Sequence, residues 1–148
     1  MKQITAFFLA FAFLLGALPV FAVSAAVAGY CGGEGNENGI SWSFDSSTGT
    51  LTITGSGEME DGCPWIEHMD HIEHVKLEGA ITKVGKEAFY KFDRLETVDF
   101  GEALVEIGVR AFSGRDDIEY IHLPSTFRRF EAESFRNSQS LQFVYCDA

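Results

Sequence analysis

Apolar residues recur along this chain at a fixed interval. From Ile72 onward, three stretches align without a gap at 23 residues: "IEHVKLEGAITKVGKEAFYKFDR" (72–94), "LETVDFGEALVEIGVRAFSGRDD" (95–117) and "IEYIHLPSTFRRFEAESFRNSQS" (118–140). A fourth begins as "LQFVYCDA" and stops at Ala148. The first column holds Ile72, Leu95, Ile118 and Leu141, the fourth Val75, Val98, Ile121 and Val144, and the sixth Leu77, Phe100, Leu123 and Cys146. Ile81, Leu104 and Phe127 follow, then Val84, Ile107 and Phe130. Small residues Ala88, Ala111 and Ser134 stand ahead of Phe89, Phe112 and Phe135. Most columns between these vary freely. Apolar columns held in register over successive units are the pattern of a stacked solenoid, because no unit buries its apolar face alone and each coil must cover its neighbour.

Within a unit the fourth and sixth positions lie two apart, so a strand points both to one side and the third and fifth positions to the other. Each unit is therefore predicted to open with a short strand: "HVKL", "TVDF", "YIHL" or "FVYC". The stretch "GKEAFYKF" (85–92) is predicted to make a short helical turn on the far side of the coil. Residues 40–54, "ISWSFDSSTGTLTIT", follow another rhythm. Ile40, Trp42 and Phe44 alternate with polar residues, as do Leu51 and Ile53, and "DSSTG" between them supplies turn residues, which predicts a β-hairpin. With "CPWI" after it, the hairpin is placed to cap the exposed apolar end of the first coil.

The "L-x-x-V-x-L" strand, the "V-G-x-x-A-F" turn and the 23-residue period resemble the BspA-type leucine-rich repeats. The segment "WSFDSSTGTLTITGSGEM", followed by "PW", is similar to the N-terminal region common in that family. The resemblance covers residues 31–148. Two features depart from it: Glu131 replaces the glycine found at Gly85 and Gly108, and Phe92, Arg115 and Ser138 stand where the family often has cysteine. The resemblance implies a right-handed solenoid with a parallel sheet, exported or surface-displayed, that binds proteins or cell surfaces. It implies no catalytic residue and no cofactor. The expected fold is an α/β solenoid, a leucine-rich-repeat coil with a short parallel β-sheet capped by an N-terminal β-hairpin. The expected organisation is residues 1–28 as a signal peptide, 29–71 as hairpin cap and connection, and 72–148 as repeats.

The N-terminal end bears on where the chain works. Lys2 is the only charge before Glu34, and the run from Ala6 to Ala28 is almost wholly apolar. A basic start, an apolar middle and small residues at the end make a secretory signal, with cleavage expected after Ala25 or Ala28. The alternative is an uncleaved anchor, since the run approaches spanning length. After cleavage no membrane association is expected. The chain holds 22 acidic and 11 basic residues, a net charge of −11 that repels phosphate backbones and excludes nucleic acid as a natural partner. Export permits a disulfide among the three cysteines, and Cys31 with Cys63 is the expected pair because both lie in the N-terminal part, although sequence alone gives no connectivity.

Three histidines spaced by three, His68, His71 and His74, raise the alternative of a zinc-dependent hydrolase. A spacing of three aligns side chains only on a helix, and the expected change to strand near Glu73 points His74 away from the other two. "GSG" (55–57) lacks a following helix for a phosphate loop, no G-x-S-x-G elbow occurs, and Cys63 with His68 makes a poor nucleophile and base beside a structural cysteine. "GEGNEN" (33–38) reads as a linker. The outward columns offer more. The third reads His74, Thr97, Tyr120, Phe143 and the fifth Lys76, Asp99, His122, Tyr145. With strands about 4.8 Å apart, Tyr120, His122, Phe143 and Tyr145 form one patch, flanked by Lys76, Asp99 and His74. Glu73, Glu96 and Glu119 add an acidic stripe. Such a patch suits non-catalytic recognition of a protein or cell surface. The end of the solenoid lacks an evident cap, which leaves end-to-end homodimerisation, fraying, or a shortened structural remnant with no specific ligand.

Overall fold

The computed structural model describes residues 27–114 and 117–147. The expected signal peptide, apart from Val27 and Ala28, therefore lies outside the described residues. Among those described, the strands are β1 (Val27–Tyr30), β2 (Ile40–Asp45), β3 (Thr50–Glu58), β4 (His74–Val84), β5 (Thr97–Asp99), β6 (Glu106–Ile107), β7 (Tyr120–Leu123), β8 (Arg129–Phe130) and β9 (Phe143–Cys146). They join in the order β1-β2-β3-β4-β5-β7-β9, with β6 between the end of β4 and β8. The first three strands run antiparallel to one another, and every pairing from β3 onward is parallel.

The 23-residue period is the register of this sheet. His74 pairs with Thr97, Asp99 with His122, Tyr120 with Phe143, and, on the second flank of the coil, Lys83 with Glu106 and Glu106 with Arg129. β4 serves both flanks because it turns a corner at Gly79. There φ is +89°, and a Cβ would lie 2.4 Å from the Gly55 carbonyl oxygen, so only glycine fits. Gly55 is its register partner on β3, which gives the "GSG" stretch a structural role at the same corner.

The expected hairpin is formed by β2 and β3, and its apolar residues Ile40, Trp42, Phe44, Leu51 and Ile53 are buried. Its second strand does more than close an end. β3 pairs in parallel with β4, Leu51 beside Val75 and Ile53 beside Leu77, so it is itself a rung of the solenoid. The sheet runs unbroken across the division expected between residues 71 and 72. The offset at this rung is 24 residues (Thr50 with His74), which is why a gapless alignment at 23 passes it by.

The far side of the coil differs from expectation. In place of a helical element it carries turns, and the helix found among the described residues is the 3-10 helix Ile66–His71 in the connection. Hydrogen bonding explains the difference. Alternate N–H groups of the first turn leave their own coil: Glu87 donates to Val109 at 3.0 Å, Phe89 to Ala111 at 2.8 Å and Lys91 to Ser113 at 3.0 Å. The groups between them close local turns, as Tyr90 to Glu87 at 3.2 Å. Donors spent on the neighbouring coil cannot build an i to i−4 ladder. Positive φ at Glu87, Lys91, Arg110, Glu133 and Asn137 repeats the same kink from coil to coil.

Inside, the phenylalanine column stacks. Trp65 lies 5.3 Å from Phe89, Phe89 5.0 Å from Phe112, and Phe112 5.1 Å from Phe135, with ring planes within 20° of parallel. Trp65 Nε1 donates to the Ala88 carbonyl at 3.1 Å, standing in for a main-chain bond between coils. The other apolar columns are buried through the second coil apart from half-buried Val98, whereas in the third Phe127 and Phe135 are half-buried and Phe130 is exposed.

Candidate binding face

The outward side of β4, β5, β7 and β9 is built by strand alternation. Val75, Leu77, Phe100, Ile121 and Leu123 point into the core, so the residues between them must face solvent. Tyr120 sits beside Phe143 and His122 beside Tyr145 across the β7–β9 ladder. Tyr120, Phe143 and Tyr145 are 57%, 55% and 53% exposed. The Phe143 and Tyr145 rings stack at 6.2 Å with planes 26° apart. Large aromatic surface left in water on a rigid sheet is costly to leave bare and ready to be covered.

Several polar members of the face are held by neighbouring groups. His122 Nε2 lies 2.7 Å from Asp147 Oδ1. Asp99 Oδ1 accepts the Gly101 N–H at 3.0 Å, and His74 Nδ1 is 2.9 Å from Thr97 Oγ1. Lys76 is exposed next to Asp99 in register. The structure thus brings all seven expected site residues, His74, Lys76, Asp99, Tyr120, His122, Phe143 and Tyr145, onto one ladder. Asp147 was not foreseen. It stands just beyond the last strand, in a freely varying column that holds Glu78, Gly101 and Pro124 in the earlier coils.

The histidines do not converge. His68 stacks on Phe44 at 5.1 Å, His71 is exposed at the end of the 3-10 helix, and His74 opens β4 bonded to Thr97. Among the described residues no group of three or more His, Cys, Asp or Glu is placed to hold a metal ion. The expected Cys31–Cys63 bridge is not formed. Both are free thiols, with Cys31 buried where its carbonyl accepts the Glu60 N–H at 2.9 Å, and Cys63 in the turn that leads to Trp65. Burial, with the Glu60 charge adding to it, pushes the Cys31 thiol up to about 12. Burial pushes Cys63 up to about 12 against a hydrogen bond from the Trp65 main chain. Neither thiol is an activated nucleophile.

A second polar feature lies on the other flank. Glu106 on β6 is buried and ion-paired to Lys83 at 2.8 Å and to Arg129. Burial pushes its carboxyl up, but hydrogen bonds with Lys83 and Glu131 and the Lys83 and Arg129 charges outweigh that and hold it below its ordinary value. In sequence these residues form one of the freely varying columns. Only their alternation of sign hinted that they meet. At the end of the third coil, Phe130 and Val144 are 44% and 50% exposed around a shallow apolar hollow of about 400 Å³ that Phe135 and Leu141 also line.

A parallel sheet on one side, turns on the other and a stacked apolar interior define the molecule as a leucine-rich-repeat solenoid. A family model described as "BspA type Leucine rich repeat region (6 copies)" matches residues 65–147, more than half of the chain, and the chain belongs to that family. Among solved structures it is similar to a leucine-rich repeat protein from Eubacterium ventriosum ATCC 27560, with a TM-score of 0.51 and 16% identity over 84% of this chain and 45% of that one. That likeness shows the fold alone, and this chain spans less than half the length of that protein. No curated protein compared with the chain matches it.

Proposed function

We propose that this chain is an exported, non-catalytic recognition module that docks a protein or cell-surface partner on the outward face of β7 and β9, in the manner of an adhesion module. The observation that carries the reading is the cluster of Tyr120, Phe143 and Tyr145, each more than half exposed on a rigid sheet. The family supports it, since repeats of this type generally mediate protein interactions and their fold is typically non-catalytic. Export rests on the basic start and apolar run of the first 28 residues. Cleavage after Ala25 leaves all of β1 in place, whereas cleavage after Ala28 removes half of a strand that pairs with β2 from Val27 to Tyr30. End-to-end pairing of two copies is supported by the third coil, where Arg128, Arg129 and Arg136 balance Glu119, Glu131 and Glu133 in a chain otherwise strongly acidic. Light scattering at twice the chain mass supports that pairing, and a monomer at high concentration rules it out.

The test of the docking face is Tyr120→Ser combined with Tyr145→Ser. Both side chains are exposed, so stability is expected to change little. Binding of the purified chain to its partner surface is expected to fall at least about tenfold, as for paired aromatic anchors. Undiminished binding by a folded double variant sinks the proposal.

A further inference from the structure

The charges around the aromatic cluster specify what it takes. Residues 95–100, 117–123 and 141–147, which contain β5, β7 and β9, include no lysine or arginine. They carry Asp99, Asp147, Glu96 and Glu119, all exposed, with His122 held by Asp147. The nearest lysine on the same face is Lys76, on β4, two strands from β7. The cations of the third coil are turned to other uses. Arg129 pairs with Glu106, Arg136 with Glu133 at 3.0 Å, and Arg128 Nη1 donates to the Ser125 and Phe127 carbonyls at 2.7 and 2.8 Å. The face therefore ends in an aromatic cluster with carboxylates around it, on a molecule of net charge −11.

We infer that the occupant of this face is a basic, extended protein segment whose lysine or arginine side chains lie over Tyr120, Phe143 and Tyr145 while Asp99, Glu96 and Glu119 neutralise them. The inference rests on the docking reading above and gives its partner a chemistry. Aromatic rings attract cations through their negative faces, and a guanidinium also stacks on the ring plane. Carboxylates at the margin add the opposite charge without being buried, so they avoid a large desolvation cost. Spacing fits as well. Phe143 and Tyr145 are 6.2 Å apart, and alternate side chains of an extended chain repeat at about 6.6–6.8 Å. A segment with basic residues at every second position therefore matches the ring spacing. Acidic partners are repelled by both the margin and the net charge.

Three fluorescent nine-residue peptides test this against the purified chain by anisotropy: alternating Arg-Ser, alternating Glu-Ser and alternating Gln-Ser. The Arg-Ser peptide is expected to bind, more weakly as salt rises because the carboxylates are exposed. Tyr120→Ser with Tyr145→Ser is expected to weaken it about tenfold, at a factor of about 2–5 for each exposed cation–π contact. Asp99→Asn is expected to weaken it about twofold. Equal binding of Glu-Ser or Gln-Ser overturns the inference, as does Arg-Ser binding that the double tyrosine variant leaves intact. The failure of the two claims separates cleanly. A partner surface that the double variant no longer binds, with no affinity for Arg-Ser, sinks the cationic inference alone. The same pattern toward a neutral oligosaccharide reassigns the ligand to a sugar. A partner retained by the double variant sinks the docking reading itself.

Discussion

Glu106 shows how one residue ties three coils together. Its carboxylate sits between Lys83 of the coil before and Arg129 of the coil after, on the flank opposite the aromatic face. Its folded pKa lies below the ordinary 4.5, so the stability it contributes is complete above that value and is lost as pH falls through the lower, folded one. Lys83 is raised above 10.5, mainly by its hydrogen bond to Glu106, so its contribution is complete below 10.5 and is lost as pH rises through the raised value. Glu106→Gln is expected to destabilise the chain by about 1.5–3 kcal/mol at pH 7, the range for hydrogen bonds to charged groups, and to flatten the fall in stability between pH 5 and pH 3. Urea unfolding of both proteins at pH 7, 5 and 3 measures this, and parallel curves would contradict it. Little of it was legible in the sequence. Burial is read from apolar residues, and a column of Lys83, Glu106 and Arg129 looks like solvent-facing variation, although the structure buries Glu106 between its two partners. The apolar columns were legible because the same physics acts on every coil.

At the scale of the element, the ring stack from Trp65 to Phe135 is the spine of the repeat. Phe112 is enclosed within it, with Phe89 on one face, Phe135 on the other and Phe100 against its edge at 5.6 Å. Phe112→Ala is expected to cost about 3–5 kcal/mol, and to lower the unfolding temperature by about 10 °C or more, as a cavity between two coils that cannot collapse without shifting the sheet. Phe135→Ala is expected to cost clearly less, because Phe135 is half-buried at the less covered end. Calorimetry on the two variants checks the order, and equal shifts would deny the stack its gradient. The strands that open each unit, the start of β4 with β5, β7 and β9, and their register followed from the period alone. The far-side turns did not, because local pattern cannot reveal that Glu87, Phe89 and Lys91 donate to the next coil. The first rung was hidden for a plainer reason. Its extra residue moves Trp65 to 24 positions before Phe89, out of the phenylalanine column where it belongs.

Over the whole molecule, one period sets two consequences. It places an apolar residue behind every strand, which makes the core, and it places the residues between them in rows on the outer face, which makes a surface. Along that surface the character changes from threonines on β3, through His74 and Lys76, to the aromatic and acidic end on β7 and β9. The face was legible from strand alternation and spacing. Asp147 and the holding of His122 were not, because Asp147 belongs to a column that varies freely: Glu78, Gly101, Pro124, Asp147. The histidine spacing that suggested a metal is accounted for by a 3-10 helix passing into a strand. It leaves His68 on Phe44 and His74 on Thr97. The measurement that tests the docking face most directly is hydroxyl-radical footprinting of the chain with and without its bound partner. Oxidation of Tyr120, Phe143 and Tyr145 is predicted to fall on binding, while that of Tyr90, on the far-side turn, is predicted to stay unchanged. Protection of Tyr90 with unaltered oxidation of the three aromatic residues would contradict the account.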